Sequence, residues 1–357
     1  MNGHPLDTVD RQPLTCIWEI TRVCNLRCVH CENQCGERSP RELSTEAMGK
    51  VAQGLIRLGC KQVDLTGGEP LLRPDWADLC GMLVGSGVKV ALITNGLLLD
   101  RDTLAQVLAA GVGAIGISID GLQATHDGMR LRPGPGASPW QLAMAAVERV
   151  LPHLETVVIT QVNKRSLPEL PALHDLLSSL GVRRWQLQLT VPVGRVRDIH
   201  EPFVIAPSDL EELVGFITRT HQSGCLPRID VSDSIGYYTE HELGLRGAGT
   251  QTLPWLGCQA GIRLVAITYD GRVRGCSALP PEFDAGDVHD ETIEDIWRDA
   301  ARFAYATRFD AGKLCGGCAS CRVAPLCRAG CTTMAYWSSG TIYDNPFCLL
   351  KARQCKA

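Results

Sequence analysis

The sequence predicts an α/β fold, a partial (β/α)6 TIM-like barrel followed by a small cysteine-rich C-terminal domain. Short apolar segments of β type alternate with amphipathic helix-like segments from residue 14 to about residue 190. This alternation is typical of a parallel sheet with right-handed crossovers. Six units are fewer than the eight of a closed barrel, so we expect an open barrel. From Cys258 onward the pattern changes to a cysteine-dense segment without long periodic runs.

Each β/α unit carries its own local signals. The predicted strands are nearly continuous apolar runs, as expected where helices cover both faces of a parallel sheet. In chain order they are LTCIWEI, KQVDLTGG, VKVALITNG, GAIGISIDG, TVVITQVN and VRRWQLQLT. Helices between them begin at residues that stabilise a helix N-terminus, such as Ser44 and Ser138, which is followed by Pro139. Loops at the carboxyl ends of such strands usually carry function, which selects TGGEP, TNG and SIDG.

The chain divides into four predicted parts. Residues 1–13 form a short polar N-terminal arm, residues 14–190 the barrel, residues 191–255 a connecting region with one helix, and residues 256–357 the cysteine-rich domain. We expect this last domain to depend on bound metal for its fold, because it is small and lacks long apolar runs.

Charge and hydropathy argue against several classes of partner. The formal net charge of −4 gives no electrostatic reason to expect nucleic acid or an anionic membrane. No apolar run is long enough to span a bilayer, and no charged-then-apolar leader opens the chain. We therefore expect a cytoplasmic protein that binds neither nucleic acid nor a membrane.

The 17 cysteines are the unusual feature of the composition. Secreted disulfide proteins are usually short and carry a leader, whereas this chain is long enough to bury an apolar core of its own. Ligation of metal ions or clusters in a reducing compartment is therefore the favoured use of these thiols.

Three cysteines directly after the first strand form the clearest motif. Cys24, Cys28 and Cys31 have the spacing C-x3-C-x2-C, and Cys35 follows outside it. Zinc sites prefer paired C-x2-C spacings, and only Cys28 and Cys31 have one. A four-iron cluster normally binds four thiolates, so three cysteines leave one iron free for another ligand. We expect Cys35 not to ligate.

The loop CNLRCVHC resembles the cluster-binding loop of the radical S-adenosylmethionine (radical SAM) superfamily. The resemblance implies a [4Fe-4S] cluster whose free iron chelates S-adenosyl-L-methionine (SAM). It further implies reductive cleavage of SAM to a 5′-deoxyadenosyl radical that abstracts a hydrogen atom from substrate. The protein orients the cofactor and excludes competing reactions. An external electron donor such as flavodoxin or ferredoxin is then expected.

The resemblance also implies SAM-binding residues at later strand ends. The candidates are Gly67, Gly68, Glu69, Pro70, Asn95, Ser118, Asp120, Arg130 and Asn163. The GGEP turn is assigned to the SAM amino group, since glycines permit close backbone approach and a carboxylate accepts from an ammonium. The SIDG turn resembles the ribose and carboxylate contact. Arg130 suits the SAM carboxylate but has the alternative of a solvated loop arginine. Asn95 and Asn163 have the alternative of simple turn residues.

The C-terminal cysteines resemble the SPASM extension of radical SAM enzymes. The resemblance implies two auxiliary [4Fe-4S] clusters. The outer cluster would be held by Cys318, Cys321, Cys327 and Cys348, and the inner one by Cys258, Cys276 and Cys331. Some members have another cysteine six positions after the first, where this chain has Leu264. Either Cys315 completes the inner cluster or one of its irons stays open. A structural zinc domain is the alternative.

These motifs predict a radical SAM/SPASM oxidoreductase that performs a net two-electron oxidation, such as crosslinking, thioether formation or dehydrogenation. The expected substrate is a ribosomally made peptide, and a separate peptide-recognition protein is an expected partner because few residues precede the first strand. One alternative is oxidation or epimerisation of a small natural product such as a sugar or aminocyclitol. Another is a non-catalytic cluster-binding protein. For epimerisation, Cys225 is the candidate hydrogen donor near the barrel mouth, unless it is an inert buried thiol.

Overall fold

One sheet runs through the barrel and into the cysteine-rich domain. The computed structural model describes residues 4–199, 203–232, 234–246 and 255–354, so the arm at 1–13 and the connecting region at 191–255 are described in part, and Cys355 lies outside. The strands are β1 (Thr15–Thr21), β2 (Gln62–Gly67), β3 (Lys89–Thr94), β4 (Ala114–Ser118), β5 (Glu155–Val162), β6 (Arg184–Leu189), β7 (Arg228–Val231), β8 (Leu264–Ile267), β9 (Arg272–Arg274) and β10 (Gly286–Asp287). Their spatial order is β10-β9-β8-β1-β2-β3-β4-β5-β6-β7.

The predicted barrel is confirmed. Strands β1 to β6 pair in parallel in chain order. Helices alternate with them and cover the sheet. These are α1 (Thr45–Arg57), α2 (Trp76–Gly85), α3 (Arg101–Ala109), α4 (Gln123–Met129), α5 (Pro139–Val150) and α6 (Leu170–Ser179). Ser44 and Ser138 accept backbone N–H bonds at the starts of α1 and α5, as their sequence signals predict.

The parallel sheet extends beyond the six predicted units at both ends. The connecting region contributes helix α7 (Leu210–Ser223) and β7, which pairs in parallel with β6. At the other end, β8 from the cysteine-rich domain pairs in parallel with β1, and β9 pairs antiparallel with β8. Strand β7 is an edge strand in the described sheet, so the barrel stays open.

The cysteine-rich domain packs closely against the barrel. Its helices, and one short helix before it, are α8 (Glu242–Arg246), α9 (Ile293–Arg298), α10 (Ala304–Thr307), α11 (Ala324–Cys327), α12 (Thr332–Ser339) and α13 (Leu349–Gln354). Arg57 of α1 donates to Glu294 of α9 at 2.5 Å, and apolar residues of both parts belong to one core. Within the described ranges, no helix has the length and apolar character needed to cross a membrane.

The described part of the N-terminal arm, from residue 4 onward, contacts this domain. Leu6 is buried in a small cluster with Ile262 and Ala306. The ring of His4 bonds the carbonyl oxygen of Leu326 at 2.8 Å. This contact could not be predicted from the polar sequence of the arm, because the contact depends on one apolar residue and on partners far along the chain.

Candidate active site

The three-cysteine loop lies at the carboxyl end of β1, where the fold predicts the site. The thiols of Cys24, Cys28 and Cys31 are all partly exposed. Burial raises the pKa of Cys24 to about 11 and that of Cys28 to about 12. Hydrogen bonds from the thiol and the N–H of Cys35 lower the pKa of Cys31. Cys35 is therefore a neighbour that stabilises a thiolate at Cys31.

An arginine from the connecting region holds this loop in place. Arg195 donates from Nη1 to the Cys28 carbonyl at 3.1 Å and from Nη2 to the Cys35 carbonyl at 2.6 Å. Its backbone N–H donates to the Cys31 carbonyl at 3.2 Å. The preceding Gly194 has φ +64°, and a Cβ there would lie 2.4 Å from the Cys31 carbonyl oxygen. Sequence reasoning missed Arg195; its only local signal is the Gly-Arg pair shortly after β6.

The GGEP turn packs against the chain entering the cysteine loop. The Gly68 N–H donates to the Thr21 carbonyl and the Glu69 N–H to the Val23 carbonyl, both at 2.7 Å. A Cβ on Gly68 would lie 2.1 Å from the Val23 carbonyl oxygen. The two glycines, Gly67 and Gly68, therefore permit close approach of backbone to backbone, whereas the sequence suggested approach to a ligand. Pro70 begins the short 3-10 turn that follows.

The carboxylate of Glu69 is fully buried beside this turn. It accepts from the Thr94 hydroxyl at 2.7 Å and from the Asn95 N–H at 2.8 Å. Burial raises the pKa of Glu69 to about 7 even though these hydrogen bonds oppose the shift. The Asn95 side chain donates to Asn25 Oδ1 in the cysteine loop at 2.7 Å. Both predicted residues thus lie next to the loop and link it to the ends of β2 and β3.

A buried charged cluster lies on the other side of the loop. Arg130, just after α4, donates from Nε to Asp120 Oδ2 at 2.6 Å, and His30 Nε2 lies 3.2 Å from the same oxygen. Burial alone would raise the pKa of Asp120, but Arg130 and His30 hold it well below its usual range. The charge of Arg130 also acts on Cys24 and Cys28.

This cluster settles one alternative from the sequence. Arg130 is 9% exposed and ion-paired, so the interpretation as a solvated loop arginine is wrong. Ser118, the last residue of β4, is partly exposed near Asp120 along the chain. His30 was missed because a histidine between two cysteines, in CVHC, shows no partner in the sequence.

Asn163 directly follows β5, at the carboxyl end of that strand, whereas Cys225 precedes β7. Asn163 is fully buried, and its Oδ1 accepts from the N–H groups of Arg165 and Ser166 at 2.9 and 3.1 Å. This is the geometry of the turn-residue alternative. Cys225 is exposed in the loop between α7 and β7, at the amino end of β7. The prediction that it lies near the barrel mouth is wrong, because the mouth is at the carboxyl ends of the parallel strands.

The outer set of C-terminal cysteines surrounds one cavity. The four thiols that line it are Cys318, Cys321, Cys327 and Cys348. They are free thiols, and burial raises the pKa of Cys327 to about 12. Four converging thiols are the donor set of a four-iron cluster, so the residues present fit such a group. Within the described ranges no three Cys, His, Asp or Glu side chains form a site for a single metal ion.

The three cysteines of the inner set are partly exposed. Burial and the neighbouring Cys258 raise the pKa of Cys276 to about 11, while the Thr333 side chain hydrogen-bonds to its sulfur. Thr333 lies two residues after Cys331 in the chain. Cys258 and Cys331 pack against the same apolar cluster. Cys315 is exposed and donates from its N–H to the Tyr343 carbonyl at 3.2 Å.

Three polar side chains, those of Glu19, Glu32 and Gln161, lie near the cysteine loop. Burial raises the pKa of Glu32, next to Cys31, to about 7, and its charge reaches Cys276. Burial likewise raises the pKa of Glu19 in β1 to about 8. Glu19 Oε2 and Gln161 Oε1 are buried without a hydrogen-bond partner among the described residues. Sequence reasoning missed all three residues, because isolated polar residues in strands and loops show no motif.

The chain has an open α/β barrel, a cysteine loop at the strand ends and a cavity lined by four thiols. These features place it among the iron–sulfur enzymes built on a partial barrel. The family model of the radical SAM superfamily matches residues 18–180, and that of SPASM, an iron–sulfur cluster-binding domain, matches residues 258–322. The chain belongs to the radical SAM superfamily and carries a SPASM domain. It is an enzyme whose cofactors are SAM and iron–sulfur clusters.

Relatives along almost the whole chain have several different activities. An AdoMet-dependent heme synthase of Oleidesulfovibrio alaskensis is 30% identical over 94% of this chain and 87% of its own length. The AdoMet-dependent heme synthase of Methanosarcina barkeri is 28% identical over 95% of this chain and 97% of its own. The mycofactocin maturase MftC of Mycobacterium ulcerans is 29% identical over 96% of this chain and 88% of its own.

Solved structures share the fold at lower sequence identity. The structure of anSMEcpe with bound AdoMet and a peptide has a TM-score of 0.71 at 16% identity, and the match covers 96% of this chain and 95% of that one. Streptococcus suis SuiB bound to its precursor peptide SuiA has a TM-score of 0.68 at 15% identity, with 94% and 75% covered.

Proposed function

We propose that this enzyme oxidises a ribosomally made peptide by two electrons after abstraction of a hydrogen atom. Cys24, Cys28 and Cys31 would hold the radical SAM cluster, and the GGEP turn and Arg130 would place SAM beside it. When bound, these cofactors supply the 5′-deoxyadenosyl radical that abstracts the hydrogen. The protein contributes position and a site from which competing reactants are excluded.

The C-terminal cysteines are assigned to two auxiliary clusters. The outer auxiliary cluster would be held by the four cysteines that line the cavity, Cys318, Cys321, Cys327 and Cys348. Cys258, Cys276 and Cys331 would hold the inner one with an open iron. Support for an open iron comes from the exposed position of Cys315, three residues before the outer ligand Cys318.

The unpaired amide oxygen of Gln161 is the observation that favours a peptide. Gln161 Oε1 is buried without a partner among the described residues, while the same side chain hydrogen-bonds to Glu32. A buried acceptor without a donor is costly, so the natural ligand should supply donors. A peptide backbone offers N–H groups. Mycofactocin maturase and the SuiB complex with a precursor peptide are consistent with this choice.

Oxidation of an iron porphyrin is the second candidate. It is favoured by the AdoMet-dependent heme synthases, which match nearly the full length of this chain. The carboxylates of a porphyrin are acceptors, however, and cannot supply the donor that the unpaired Gln161 Oε1 requires. The peptide is therefore preferred.

The test is SAM-dependent turnover under anaerobic conditions with a reductant. The reconstituted enzyme is incubated separately with the short peptide encoded beside its gene and with an iron porphyrin carrying propionates. A peptide that loses two hydrogens, with 5′-deoxyadenosine formed in wild type but not in Cys28→Ala, supports the proposal. Modification of the porphyrin alone would replace it with the second candidate.

A further inference from the structure

A lysine lies inside the outer cysteine cavity. Lys351 belongs to α13, three residues after Cys348, and lines the cavity with the four cysteines. Its Nζ donates to Asp344 Oδ1 at 2.5 Å and to the Asn345 carbonyl at 2.9 Å. A third hydrogen bond goes to the Cys318 sulfur. An ammonium group has three hydrogens, so each has an acceptor and the group is fixed in position.

The charge of this lysine acts at short range with little screening. Its side chain is 12% exposed. Its ammonium forms an ion pair with the Asp344 carboxylate, which is the partner that a cationic lysine requires. Solvent and salt weaken a buried charge much less than an exposed one.

We propose that Lys351 sets the reduction potential of the outer auxiliary cluster, raising it above the value that the four thiolates alone would give. Reduction adds one electron and no proton to the cluster, so its negative charge grows by one. A fixed ammonium at one ligand sulfur stabilises that added charge, since hydrogen bonds to sulfur and local charge tune such potentials. This inference rests on the proposed assignment of Cys318 and its three partners to a cluster.

Asp344 positions the ammonium and partly offsets its charge. The carboxylate accepts from Lys351, and its Oδ1 also accepts from the Cys318 N–H at 3.2 Å. The Cys318 thiol also hydrogen-bonds to this carboxylate, so Asp344 and Lys351 contact the same cysteine and their charges oppose each other there. Neutralising Asp344 should therefore shift the potential in the opposite direction from neutralising Lys351. Lys351 is a positioning residue in this scheme: it acts on the cluster and not on the substrate.

The experiment is a redox titration of the anaerobically reconstituted holoenzyme, followed by electron paramagnetic resonance. Lys351→Met removes the charge with little change in length, Lys351→Arg retains it, and Lys313→Met removes an exposed lysine of the same domain that does not line the cavity. We expect Lys351→Met to lower the midpoint of one cluster by at least a tenfold change in its reduction equilibrium, about 59 mV for one electron. Lys351→Arg should keep the midpoint close to the wild-type value, and Lys313→Met should not change it.

Each result has a distinct meaning. If Cys321→Ser loses no iron relative to wild type, the cluster assignment in the proposed function fails. If the cluster is present and Lys351→Met titrates like Lys313→Met, the inference is overturned while the assignment stands. If Lys351→Met does not retain the cluster, Lys351→Gln decides, because its amide keeps a donor in the cavity without the charge. A lowered midpoint in that variant supports the inference, and an unchanged or raised midpoint refutes it.

Discussion

Replacing Arg195 by Met should release the cysteine loop while leaving the barrel folded. The side chain makes two hydrogen bonds to loop carbonyls, those of Cys28 and Cys35. A hydrogen bond from a charged group contributes about 1.5–3 kcal/mol. Because Arg195 is only partly buried, the lower value applies to each bond, which gives about 3 kcal/mol for the pair. That corresponds to about a hundredfold fall in the population of the ordered loop.

The loss should appear in cluster assembly before it appears in global stability. The three cysteines would have to be ordered when the cluster forms, so the variant should bind its first cluster more slowly and less completely. We would measure iron per chain, the spectrum of the SAM-bound cluster and 5′-deoxyadenosine formation. We expect all three to fall, and 5′-deoxyadenosine formation to fall by at least tenfold. The thermal midpoint should change by only a few degrees.

Arg195→Lys is the matched control for this prediction. Lysine keeps the charge but has no planar fork to reach two carbonyls, so it should recover only part of the lost function. Full activity in Arg195→Met, or equal recovery by lysine, would show that the two carbonyl contacts do not order the loop.

Three further predictions follow from the same site. Gly68→Ala should prevent cluster assembly because its Cβ would lie 2.1 Å from a backbone carbonyl, whereas Gly81→Ala, with nothing within 4 Å, should be harmless; iron content and thermal midpoints compare them. Burial raises the pKa of Glu69 to about 7, so folding favours the protonated side chain. The resulting gain in unfolding free energy is fully present below the unfolded pKa of glutamate and is lost as pH rises through 7. Without SAM, wild type should therefore lose about 3 kcal/mol more unfolding free energy than Glu69→Gln between pH 4.5 and 7.5, measured with urea. Cys321→Ser should lose one cluster's iron and Cys315→Ser none; equal iron in both variants would contradict the outer ligand set.

The local parts of the fold were readable from the sequence, and the contacts between distant segments were not. Strands β1 to β6 were predicted because each is an apolar run followed by a helix signal. Strand β7 has only four residues, RIDV, two of them charged, and its place depends on pairing with β6. Strand β8 was missed because its partner, β1, lies some 250 residues earlier in the chain.

The same distinction holds at the site. The cysteines were found because their spacing is itself the signal, and the four outer candidates do line one cavity. Arg195 and Lys351 were not found, because a single basic residue in a loop or a short helix has no local pattern. What identifies each of them is its set of acceptors, namely carbonyls of the cysteine loop for Arg195 and a carboxylate, a carbonyl and a sulfur for Lys351.

The shared sheet fixes how the two cysteine sites lie relative to one another. Cys24 follows β1 by three residues, and Cys276 follows β9 by two, while β8 lies between these strands and pairs with both. Neighbouring strands are about 4.8 Å apart and held by hydrogen bonds, so the separation of the two sites is fixed before substrate binds. A flexible linker would have to be ordered at each turnover, at an entropic cost that this arrangement avoids. Glu32 is the residue that relates the two sites, because it is the neighbour of Cys31 and its charge also acts on Cys276.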